Sequence, residues 1–180
     1  MRYFITMLLA SSVLSTVGRA DVAPDFTLRS AMDNTEVTLS AHRGQVVIMS
    51  FWATWCAPCL AEMPHLEQMY KDLGDHNADG TQDFTVLSIS IDDARDRSKI
   101  KPLIRSKQLS FPVLWDRGSQ VSSIYNPSGS APLTIIIDQE GNLVETIPGY
   151  TAGEECEVRQ KVLGLLGIDD PNTPEQCQSH

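Results

Sequence analysis

An α/β fold, with a mixed central sheet flanked by helices, is what this 180-residue sequence predicts. Three patterns carry the prediction. GQVVIMSFWA (44–53) and DFTVLSISID (83–92) are near-continuous apolar runs rich in β-branched residues, as central strands covered on both faces require. Between them Cys59, Met63, Leu66, Tyr70 and Leu73 recur at spacings of four and three, which lays one apolar stripe along a helix. LTIIIDQEGNLVETIPG (133–149) sets two β-rich runs either side of Gln139-Glu140-Gly141-Asn142, a hairpin.

The remaining elements follow in chain order. DFTLRS and EVTLS flank the turn-like AMDNT, so residues 25–40 form a short hairpin. The strand 44–53 leads through WCAP into the amphipathic helix, which Gly74 stops, and DHNADGTQD is a loop. After strand 83–92, DARDRSKIKPLIRSKQ is helical, with Pro102 placed to break or kink it. FPVLWD is a short strand and GSQVSSIYN a short helix. EECEVRQKVLGLLG is a closing amphipathic helix with Val158, Val162, Leu165 and Leu166 inward, and the polar tail IDDPNTPEQCQSH lies outside the core.

The N-terminus predicts the compartment. Arg2 precedes a mostly apolar run, Tyr3 to Val17, and Gly18-Arg19-Ala20 sets small residues at −3 and −1 of a cleavage site, the pattern of a secretory signal peptide. The run is short for a membrane span, which needs about 20 apolar residues. The expected layout is therefore a signal peptide at 1–20, one domain at 21–167 and a tail at 168–180. An uncleaved anchor is the alternative, and the first cysteine at 56 excludes a lipid-modified N-terminus. Cleavage removes Arg2 and Arg19 and no acid, taking the net charge from −9 to −11. So acidic a chain repels phosphate backbones, and nucleic acid is not an expected partner. A periplasmic or secreted monomer is expected.

FWATWCAPC (51–59) holds the chemistry. A Cys56–Cys59 bridge closes too short a loop to stabilise a fold much. Zinc would need a second close pair, but Cys156 and Cys177 stand 21 residues apart, and His42, His65, His76 and His180 show no ligand spacing. Thiol–disulfide exchange needs an exposed attacking thiolate and a resolving thiol behind it. Cys56 falls where strand gives way to helix, against unpaired backbone N–H groups and the positive end of the helix dipole. Such positions lower a thiol pKa from about 8.5 to roughly 3.5–7.5. Cys59 falls one turn in, on the apolar stripe, as the shielded partner. Ala57 and Pro58 shape the loop between them, and Pro58 suits a first helical turn.

FWATWCAPC followed by EMP, APDFTL near the expected mature start, and APLTIIIDQEGNLV together resemble the thioredoxin superfamily, and within it the exported TlpA/ResA-like thiol–disulfide oxidoreductases. The resemblance spans about residues 23–166. It implies a thioredoxin fold with an added N-terminal β-hairpin and a central insertion. It also implies Cys56 as nucleophile, Cys59 as resolving cysteine and Trp55 as the aromatic shielding the pair. Pro132, after the small Ala131, matches a cis-proline facing the disulfide, and Pro64 matches a helix-kinking proline. No cofactor is implied beyond the redox-active disulfide. The partners are client protein thiols and disulfides and a membrane thiol electron donor or acceptor, with reduction the favoured direction and cytochrome c maturation the process.

Two departures stand out. Thioredoxin carries a buried acid six residues before the first cysteine; Ser50 stands there, which leaves that proton-shuttling role vacant. Glu62 occupies a place where exported members often carry glutamate, one turn beyond Cys59. Its carboxyl is expected to exchange a proton with the resolving thiol, a solvated surface charge being the alternative. Other activities fit less well. A peroxiredoxin needs Thr or Ser three residues before its cysteine and Pro seven before, where this chain has Ala53 and Met49. A copper-delivery module needs a distant histidine, and after His76 only His180 remains. Finally, Cys156 and Cys177 are expected to pair as a structural disulfide that pins the tail.

Overall fold

The structure, a computed structural model, describes residues 21–74 and 82–169. The expected signal peptide, Cys177 and most of the loop after Gly74 lie outside the described residues. Seven strands form one mixed sheet: β1 (Thr27–Ser30), β2 (Glu36–Thr38), β3 (Val46–Trp52), β4 (Phe84–Ser90), β5 (Val113–Trp115), β6 (Leu133–Ile137) and β7 (Leu143–Pro148), in the order β2-β1-β5-β4-β3-β6-β7. β3, β4 and β5 run parallel, while β6, β7 and the β1–β2 hairpin join antiparallel. Every residue of β3 and β4 is buried. These are the two apolar runs of the sequence, covered on both faces as their lack of alternation requires.

The covers differ. Helices α1 (Ala57–Leu73), α2 (Arg97–Ser106) and α4 (Glu154–Leu166) pack against Val46, Ile48 and Trp52 of β3 and Val86 of β4. The opposite face receives Phe26 and Leu28, Leu39 from a single 3-10 turn, and Val121 and Tyr125 around the short α3 (Ser122–Tyr125). The Tyr125 hydroxyl donates to the carbonyl of Pro24, and its ring meets Phe26 edge-on. This fastens the chain ahead of β1 across the sheet.

Two details differ from expectation. Pro102 lies inside α2 without ending it. On α4, Val158 and Val162 are buried as expected, Leu163 is buried beside them, and Leu165 and Leu166 are only half-buried against the same core. Gly74 stops α1 as expected, as its C-cap, with right-handed dihedrals, φ −74°.

Candidate active site

The carboxyl end of β3 hands the chain to α1 through Ala53-Thr54-Trp55, and this crossing is tied down on both sides. Within the turn, the Cys56 N–H donates to the carbonyl of Ala53 at 3.0 Å. Across the sheet, Asp92, just beyond β4 and 3% exposed, accepts the Thr54 N–H at 3.0 Å, the Thr54 hydroxyl at 2.7 Å and the Ser90 hydroxyl at 2.8 Å. A buried carboxylate is costly unless its oxygens are fully engaged, and here engagement fixes the loop two residues before Cys56. Asp92 was not singled out from sequence. The available signal was an acid at the end of the predicted strand 83–92.

Cys56 is the N-cap of α1, and its Sγ accepts the Cys59 N–H at 3.2 Å. That N–H is one of the donors a helix start leaves without an intrahelical partner. Pro58 falls in the first turn, where a missing N–H costs nothing. Cys56 and Cys59 are joined as a disulfide, their Cα atoms 5.3 Å apart. The expectation of an exposed Cys56 is corrected. In the disulfide it is 4% exposed and Cys59 1%, because both sulfurs face the apolar cluster beneath the helix start. Around them Trp55, Ala57 and Pro58 are exposed, Trp55 at 64%. Ala131 packs on the same apolar cluster, and the Ala131–Pro132 bond is cis with Pro132 buried.

Glu62 is buried, not a solvated surface charge, at 6% exposure. Ser50 and Thr134 are directly opposed on β3 and β6, and both hydroxyls serve its carboxylate, Thr134 at 2.6 Å. Desolvation raises its pKa to about 6 against the opposing pull of these hydrogen bonds, with Glu154 adding to the rise. The position read as a vacancy, Ser50, is thus a hydrogen-bond partner for an acid that reaches it from the helix. A small recess over Glu62 is walled by Thr134, His65, Tyr150 and Glu155. There the Tyr150 hydroxyl donates to Glu155 at 2.9 Å, and His65 lies 3.7 Å from the same carboxylate.

Pro64 sits inside α1, so the carbonyl of Leu60, four residues earlier, has no intrahelical N–H. Lys107, at the end of α2, donates to that carbonyl at 3.0 Å. Cys156 lies buried in the first turn of α4 and is not a free thiol. Among the described residues no cluster of three or more His, Cys, Asp or Glu side chains is placed to hold a metal ion.

A mixed sheet of this topology, with a Cys-x-x-Cys disulfide at the start of the helix leaving its central strand, defines a thiol–disulfide oxidoreductase of thioredoxin fold. The chain belongs to the AhpC/TSA family, whose model matches residues 20–146. It is 31% identical over 143 residues to the thiol–disulfide oxidoreductase ResA of Geobacillus kaustophilus, covering 79% of this chain and 76% of that one. It is also 30% identical over 135 residues to the thioredoxin-like protein YneN of Bacillus subtilis, 75% and 74% of the two chains. Among solved structures, one from Chlorobium tepidum provisionally named thiol:disulfide interchange protein DsbE superposes with a TM-score of 0.71 at 27% identity, over 84% of this chain and all of that one. The exposed lipoprotein thioredoxin of Streptococcus pneumoniae superposes at 0.64 and 28% identity, over 78% and 99%.

Proposed function

We propose that this enzyme acts outside the cytoplasm as a reductant of client protein disulfides, with Cys56 as the attacking thiol, Cys59 as the resolving thiol and Glu62 as the proton acceptor for Cys59. The observation that carries this reading is the N–H of Cys59 donated to Cys56 Sγ at the start of α1. The same donor that meets the sulfur of the disulfide would stabilise a Cys56 thiolate in the reduced enzyme.

The electrons balance as follows. The Cys56 thiolate attacks one sulfur of the client disulfide, forming a mixed disulfide and expelling the client's other sulfur as thiolate. The Cys59 thiol gives its proton to Glu62, and the resulting thiolate attacks Cys56 Sγ. The second client thiolate leaves, and the Cys56–Cys59 disulfide is restored. Two electrons have passed to the client, and a thiol donor must return them before the next turn. With a pKa of about 6, Glu62 is ionised at neutral pH yet more basic than an ordinary carboxylate.

Export is supported by the leader pattern ending at Ala20 and by the likeness to a lipoprotein described as exposed. A membrane thiol donor, and cytochrome c maturation as the process served, follow from the resemblance to the TlpA/ResA-like group. Brief alkylation of the reduced protein near pH 7 should modify Cys56 well before Cys59, and Cys59→Ser should trap clients as mixed disulfides. Preferential labelling of Cys59 would reverse the roles. A reduction potential near the −270 mV typical of thioredoxin fits a reductant, whereas one near −120 mV would make the enzyme an oxidant.

A further inference from the structure

We propose that the basic groove around Trp115 is a docking site for an acidic segment of the client polypeptide, an inference that rests on the client-exchange reading above. Charge distribution is the first observation. From Arg97 to Trp115 the sequence has five cations and no Asp or Glu, in a chain of net charge −9. Arg97, Lys101 and Arg105 follow one another at i, i+4 along α2, where like charges repel and no carboxylate on the helix relieves them. Arg97 and Lys99 also occupy the first turn, the end where the helix dipole favours anions. Local helix energetics therefore work against Arg97 and Lys101, whereas Arg105, in the last turn, suits the dipole.

Placement is the second observation. Lys99 is held by Asp96 at 2.6 Å, and Lys107 is engaged by the Leu60 carbonyl. Arg97 and Lys101 instead line a concavity of about 420 Å³ with Arg29 and Trp115. An adjoining one of about 360 Å³ shares Arg29, Arg97 and Trp115 and adds Arg117 and Glu36. Glu36 is the one carboxylate lining either among the described residues, and Arg29 takes it at 2.6 Å. Arg97, Lys101 and Arg117 are left as surplus positive charge. The guanidinium of Arg97 lies 4.8 Å over the Trp115 ring, which holds it in place while its N–H edge remains able to bind a carboxylate.

Connection to the thiols is the third. The Trp115 indole N–H donates to the backbone carbonyl of Asp92 at 2.8 Å, and the Asp92 carboxylate holds Thr54. The groove wall therefore meets the loop that positions Cys56. Its concave shape suits an extended acidic segment beside a client disulfide better than the flat plane of an anionic membrane.

The test compares the full-length protein with Arg97→Gln/Lys101→Gln/Arg117→Gln on two disulfide peptides that differ only in an acidic or a neutral flank. At low salt the native protein should show a KM roughly 10-fold lower for the acidic peptide, a preference removed by about 0.3 M salt. The triple variant should lose that preference with kcat unchanged and the neutral peptide unaffected. Lys101→Gln alone should lose part of it should the triple variant fold poorly. Equal KM values for both peptides in the native protein would overturn the proposal, as would salt-sensitive binding to anionic lipid vesicles that the acidic peptide fails to displace. Turnover of the neutral peptide establishes exchange separately, so an absent preference counts against the groove and not against the chemistry.

Discussion

Glu62 shows what a single side chain costs and what it provides. Its carboxyl holds a proton up to about pH 6 in the folded protein, against 4.5 in the unfolded chain. Between these values the native state binds more protons than the unfolded state, so rising pH removes stability, and the loss persists above pH 6. A shift of this size amounts to about 2 kcal/mol. Glu62→Gln cannot titrate there, and its amide can still meet the hydroxyls of Ser50 and Thr134. Urea unfolding of the oxidised protein should therefore show the variant gaining about 2 kcal/mol on the native protein between pH 4 and pH 7. Disulfide turnover should lose its inflection near pH 6. A constant stability difference across that range would mean that the carboxyl titrates normally, and an unchanged activity profile would remove it from the proton path. A gain of that size would be the stability cost of the proton-transfer role proposed for Glu62.

α1 is a helix interrupted by its own sequence and completed by its neighbour. Proline in a helix interior removes one hydrogen bond and crowds the carbonyl four residues back, at a cost of about 3 kcal/mol or more. Here the carbonyl of Leu60 that Pro64 leaves unbonded receives the ammonium of Lys107 from the end of α2. A second polar contact joins the same two regions. Ser110 donates its backbone N–H at 2.8 Å and its hydroxyl at 2.6 Å to Glu67, and these bonds, with Lys71, outweigh burial and hold that carboxyl below its usual range. The Lys107 contact should depend on Pro64. Lys107→Met should cost about 1 kcal/mol in the native background, the worth of one net hydrogen bond, and almost nothing beside Pro64→Ala, which returns an N–H to Leu60. Thermal or urea unfolding of the four proteins measures the coupling. Equal costs in both backgrounds would show that the two residues act independently. This interruption was half legible: Pro64 advertises a disturbed helix, whereas nothing in the local sequence around Lys107 points back 47 residues to Leu60.

Across the whole molecule, contacts of short range, the two hairpins included, were readable, and those made by pairing strands distant in sequence were not. The stripe through Cys59, Met63 and Leu66 and the runs that became β3 and β4 follow from periodicity within a few residues. Thr54 meets Asp92 and Glu62 meets Thr134 across separations of 38 and 72 residues, and only the β3–β4 and β3–β6 registers bring them together. Cys156 and Cys177 are expected from export to pair, and Cys177 lies outside the described residues. We propose their pairing as a staple that leaves catalysis alone. Cys156→Ser/Cys177→Ser should lose about 3 kcal/mol, as expected for a 22-residue loop, and retain full turnover. A bridge from either to Cys56 or Cys59 in unreduced peptide maps would make the tail part of a redox relay instead. The antiparallel register of β6 also gives the molecule two poles. Leu133 lies level with Phe51 near the cysteines, while Ile137 lies level with Val47, so the turn that follows β6 sits at the far end of the sheet. Asp21 and Ala23 are hydrogen-bonded to that turn, through Leu143 and Gly141. Residue 21 is thus separated from the disulfide by the length of β3, about 20 Å. A tether attached ahead of Asp21 would leave from the pole opposite the thiols, so a chain moored to a bilayer would turn its reactive end outward and use its own body as the spacer.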